Sequence, residues 1–117
     1  MKSFDEAINI RMADIDRTTG ERISHSEKYT RAINLLGGLD AVIPLIPFSR
    51  TQIQAALANH DEHLNTLPLK TWDFKVPFVK TLCYRKAGIN CMSLSQGVCL
   101  LKEAARQWAE REELNND

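Results

Sequence analysis

Apolar residues recur along most of the chain at spacings of three and four, and residues that start and stop helices bracket each recurrence. Phe4, Ala7, Ile8, Met12 and Ile15 form the first stripe, entered through Ser3 and Glu6 at capping-box spacing and ended by the polar run 16–22. Ser24 with Glu27 opens a second helix, whose predicted inward face is Tyr29, Ala32, Ile33 and Leu36. Gly37 and Gly38 stop it, one of them left-handed. Pro44 and Pro47 hold the apolar run after the glycines to one helical turn and a tight connection, because each proline removes an amide and biases its predecessor toward extended geometry.

The strongest local instruction follows. Ser49 and Gln52 have the spacing of a reciprocal capping box, and Phe48 and Ile53 that of a hydrophobic staple, so a helix is predicted to start at Arg50. It turns Ile53, Ala56 and Leu57 inward and fades near Asn59. Residues 60–71 show no sustained helical period and read as a connector anchored by Leu64, Leu67, Leu69 and Trp72. Pro77 suits the first position of the next helix, with Phe78, Val79, Leu82 and Cys83 on one face and Gly88 as its stop. Ser93 with Gln96 caps a long last helix carrying Leu94, Val98, Leu101, Ala105 and Trp108, which frays over 112–117. No stretch alternates with period two. The expectation is one all-α domain of about five helices over residues 1–117.

Composition changes this picture little. Hydrophobic residues make up 44% and charged residues 26%, ordinary values for a globular chain. Fifteen basic and fifteen acidic residues cancel, so no global field draws the protein to nucleic acid or to an anionic membrane. Cys83, Cys91 and Cys99 are an odd number, and the first residues lack the apolar run of a signal peptide; both point to a reducing cytoplasm. No apolar run approaches the roughly 20 residues that span a bilayer.

The charge is uneven, and that does matter. Between residues 64 and 102 the cations Lys70, Lys75, Lys80, Arg85, Lys86 and Lys102 face the single acid Asp73, with Trp72, Phe74, Phe78 and Tyr84 interleaved. Such a mixture suits an acidic protein surface or single-stranded nucleic acid. Phe78 is expected in the core, whereas Lys70, Trp72, Lys75, Lys80, Tyr84, Arg85 and Lys86 are the expected contact surface.

Ser49 to Leu57 also resembles the start of the recognition helix in helix-turn-helix DNA-binding proteins, where a capping Ser or Thr precedes a helix that buries the positions four and eight residues on. The resemblance implies base or phosphate contacts from Arg50, Thr51, Gln52 and Gln54, made by a two-fold homodimer on paired half-sites. The chain departs from that pattern at Pro47, where a turn glycine is usual, and at Pro44, where the preceding helix should continue.

Catalytic chemistry has thinner support. His60 and His63 are three apart, a spacing that suits a metal-dependent hydrolase, yet the cysteines show no C-x-x-C pair to complete a ligand set. Neither a Gly-rich phosphate loop nor a Cys/His pairing is visible, and nothing calls for a cofactor. The reading that remains is a non-catalytic regulator, adaptor or inhibitor that docks onto a protein. In size and style it resembles the small stand-alone domains of phages and mobile elements that modify host machinery.

Overall fold

A computed structural model describes residues 22–58, 63–88 and 92–111. The helix expected over 4–15, the frayed end over 112–117 and Cys91 lie outside the described residues. Five α-helices are present among the described residues, with no β-strand: α1 (His25–Leu35), α2 (Leu39–Val42), α3 (Arg50–Leu57), α4 (Leu69–Ala87) and α5 (Leu94–Glu110). Short 3₁₀ turns at Ile43–Leu45 and His63–Thr66 join them.

Three of the helix starts follow the side chains that cap them. The Ser24, Ser49 and Ser93 hydroxyls accept from the amides of Glu27, Gln52 and Gln96. At the latter two the glutamine side chain accepts in return from the serine amide, at 2.8 Å for Ser49 and 2.9 Å for Ser93. Two amides that each helix would otherwise leave unpaired are satisfied there. α1 ends in a Schellman arrangement, in which the Gly38 amide donates to Ile33 O at 3.0 Å and the Gly37 amide to Asn34 O at 3.2 Å. Both glycines have positive φ, 112° and 94°, where one was expected.

α5 is the centre of the fold, and each of the other four helices packs on it. That is why its buried residues, Gly97, Val98, Leu100, Leu101, Glu103, Ala104 and Ala105, spread well beyond one stripe. Leu94, expected on the inward face, is 51% exposed at the first position of α5. Tyr29, Ala32 and Ile33 from α1, Leu36 at its C-cap, and Ile53 and Ala56 from α3 are buried in the same cluster. Within it Glu103 is the one buried charged residue among those described, held by Ser26 Oγ at 2.8 Å, Gln107 Nε2 at 3.0 Å and Arg106 Nη1 at 2.9 Å.

α4 differs most from expectation. It begins at Leu69 rather than Pro77, so Pro77 lies inside a helix of 19 residues. The proline that starts it is Pro68, whose φ of −57° is already helical and whose carbonyl accepts from Thr71 N at 3.1 Å. An interior proline costs about 3 kcal/mol in an isolated helix. Here burial of Trp72 and Val76, one on each of the two turns before it, offsets that cost. Leu69, expected to anchor a connector, is instead exposed at the start of the helix.

Candidate surface for docking

The register of α4 follows from its buried side chains. Trp72, Val76, Val79 and Cys83 recur at spacings of four and three and face the core. Trp72 is 0% exposed and packs against Phe48, ring centroids 5.1 Å apart, so the staple residue of α3 also seats α4. The expectation that Trp72 belongs to a contact surface is therefore corrected: the ring is core. Its indole Nε1 is buried with no hydrogen-bond partner.

With that register, and 3.6 residues to each turn, the opposite face of α4 carries Lys70, Phe74, Phe78, Thr81, Tyr84 and Arg85. Phe74 is 70% exposed, Tyr84 62% and Phe78 49%. Phe78 thus lies outside the core that the sequence assigned it, because the buried stripe passes through Val76 and Val79 on the far side of the helix. The Phe74 and Phe78 rings lie 6.4 Å apart and tilted by 51°, and Lys75 Nζ stands 5.2 Å from the Phe78 centroid. Lys70, Arg85 and Lys86 are exposed, and Lys75 and Lys80 half-exposed on the two flanks. Asp73 is the one acid on the helix. Lys102 stands apart from this group on α5, donating to Asn65 Oδ1 at 3.0 Å.

Phe74 and Phe78 stand exposed on this face although the sequence pattern does not assign them to the expected contact surface. Taking Trp72 as core and counting four, seven and eleven residues on would have exposed them, because the same count leaves 74 and 78 on the outside.

The side chains of the DNA-recognition alternative sit elsewhere and are mostly engaged. Arg50 donates through Nε to Trp108 O at 3.0 Å and through Nη2 to Ala109 O at 3.4 Å and to Arg111 O. Gln54 Nε2 donates to Ala109 O at 3.2 Å, and Gln52 closes the capping box of Ser49. Arg50 and Gln54 together cap the carbonyl end of α5. Thr51 is exposed.

His60, Asp61 and Glu62 lie outside the described residues, and of His63 the backbone alone is described, in a 3₁₀ turn. Among the described residues no three His, Cys, Asp or Glu side chains are grouped to hold a metal ion, and no helix is long and apolar enough to cross a membrane. On α1, Tyr29 is buried near Cys99, and its phenol is pushed well above the ordinary value of 10.0, first by burial and then by the charge and hydrogen bonding of that thiol. No family model matches the chain, and no curated protein or solved structure matches it.

Proposed function

We propose that the protein is a non-catalytic docking module, a regulator, adaptor or inhibitor that binds another protein through the outer face of α4. One observation carries the reading: Phe74 and Phe78 stand exposed and adjacent on a helix whose charged side chains are, apart from Asp73, all cationic. Scattered exposed apolar residues need no explanation, but adjoining aromatics rimmed by one sign of charge suit an interface in which rings supply affinity and cations supply orientation and rate.

The engagement of Arg50, Gln52 and Gln54 in internal hydrogen bonds favours this face over the α3 helix as the binding surface. The test is charge reversal at Lys75, Lys80 and Arg85 together, with helicity checked by circular dichroism, followed by quantitative comparison of the proteins that co-purify from the expressing host. Loss of specific co-purifying proteins with the fold preserved supports the reading. An unchanged set of partners refutes it.

A further inference from the structure

We infer that the partner element is an amphipathic helix whose apolar stripe is flanked by aspartate and glutamate, lying along α4; this rests on the docking reading above. Phe74, Phe78 and Tyr84 lie along the outer face over ten residues, roughly 15 Å at 1.5 Å per residue, and with Lys70 and Arg85 at its ends the face covers about four turns. A second helix laid alongside matches that length and shape, with its own apolar residues meeting Phe74, Phe78 and Tyr84. The cations then decide which helix. Lys75 and Lys86 fall on one flank of the stripe, Lys80 on the other beside Asp73, and Lys70 and Arg85 within it near its two ends. Five cations against one acid give a neighbouring helix with flanking carboxylates opposite charge at both ends of the stripe and along the Lys75 and Lys86 flank.

Other occupants fit less well. A second copy related by a two-fold axis would set cations against cations across the contact. Stacked bases need open, parallel ring faces, whereas Phe74 and Phe78 are tilted by 51° and the Lys75 ammonium lies 5.2 Å from the Phe78 ring.

The purified full chain is titrated by fluorescence anisotropy with a labelled three-heptad peptide carrying leucine on one stripe and glutamate on both flanks. The same peptide with lysine flanks, a labelled oligo-dT and phosphatidylserine vesicles are titrated in parallel. The expected result is saturable, salt-weakened binding of the glutamate peptide and none of its lysine counterpart. Affinity should fall about tenfold or more in a Phe74→Ser, Phe78→Ser variant, and again in a Lys75→Glu, Lys80→Glu, Arg85→Glu variant. Both variants change exposed or half-exposed side chains, and circular dichroism verifies that each is folded. Equal binding of the two peptides, or binding that survives both variants, overturns the inference. If the glutamate peptide fails to bind while charge reversal still removes co-purifying proteins, the helical partner is wrong and the docking reading stands. Aromatic-dependent binding of oligo-dT or vesicles without peptide binding overturns both. A concentration-dependent dimer that Phe74→Ser disperses assigns the face to a second copy and overturns the inference as well.

Discussion

Replacing Arg50 separates a structural role from a recognition role, because the two predict opposite results. Its guanidinium donates to carbonyls of Trp108, Ala109 and Arg111, at 3.0 Å and 3.4 Å for the first two. The last four carbonyls of a helix have no partner within it, and a cation there also meets the negative end of the helix dipole. A hydrogen bond from a charged group contributes about 1.5–3 kcal/mol when well buried. Arg50 is half-buried and the exposed carbonyls regain water once the side chain is gone, so the bonds do not add. We expect Arg50→Ala to lower stability by about 2 kcal/mol in all. With an m-value of about 1.5 kcal/mol/M, that shifts the urea midpoint down by roughly 1.3 M. The unfolding is followed by tryptophan fluorescence, since Trp72 is buried and Trp108 half-buried. Arg50→Lys should recover only part of the loss, because an ammonium cannot fork across several carbonyls. Thr51→Ala, on the exposed side of the same turn, should stay within about 0.5 kcal/mol of the parent. An Arg50→Ala protein as stable as the parent would refute the reasoning and return the side chain to solvent, where a nucleic-acid role is open to it.

Three further outcomes follow from the packing. A Cβ at Gly97 would stand 2.6 Å from Val76 Cγ1, and a β-branched side chain in a helix has one preferred rotamer, so Gly97→Ala should destabilise by about 1–2 kcal/mol despite alanine's better helix propensity, and Val76→Ala should relieve that penalty in a double-mutant cycle read by thermal melting. Glu103→Ala removes the shared acceptor of Ser26, Arg106 and Gln107, of which Gln107 keeps its bond to Thr30 Oγ1 at 2.7 Å and the other two reach water, and should cost about 1–3 kcal/mol by chemical denaturation, with Glu103→Gln costing less. Because the Tyr29 phenol is raised in the folded state, its stabilising contribution is complete below the ordinary value of 10.0 and is lost as pH climbs above it; the parent should therefore lose stability more steeply than Tyr29→Phe above about pH 10, and equal slopes would show that the phenol does not titrate differently on unfolding.

The parts of the fold that could be read in the sequence are those decided within a few residues. Ser24, Ser49 and Ser93 cap their helices as their spacing to Glu27, Gln52 and Gln96 predicts, and the buried stripe of α1 is the predicted one. Local patterns fail where a distant contact outweighs them. Pro77 has the local signature of a helix start, yet the start is set eight residues earlier because Trp72 reaches Phe48 across the core. The same long-range contact fixes the register of α4, and with it which phenylalanines face solvent. Hydrophobicity alone ranks Phe78 as core and is silent about the direction of the helix. Arg50 illustrates the converse. Its position at the start of α3 suggests an exposed contact, while the carbonyls it caps are more than fifty residues away in sequence.

The core contacts of α4 do not call for aromatic residues on its outer face. Folding uses Trp72, Val76, Val79 and Cys83, and those four would hold the helix on the core with any soluble helix former at 74 and 78. Phenylalanine is a poorer helix former than lysine, glutamate or glutamine, and in solvent it adds an association hazard. Two of them, adjacent in space on a helix that also contains an interior proline, place a small penalty on every molecule that folds, and Phe74, 70% exposed, returns little buried area for it. A docked partner would return it, since burying two rings and a tyrosine ring contributes several kcal/mol at about 25 cal/mol per Å². Stability of the isolated protein and strength of docking should thus respond oppositely at these positions. Substitution of Phe74 or Phe78 by a polar helix former is expected to leave folding unchanged or slightly improved while it removes binding, and that opposition distinguishes a face kept for a partner from one kept for the core.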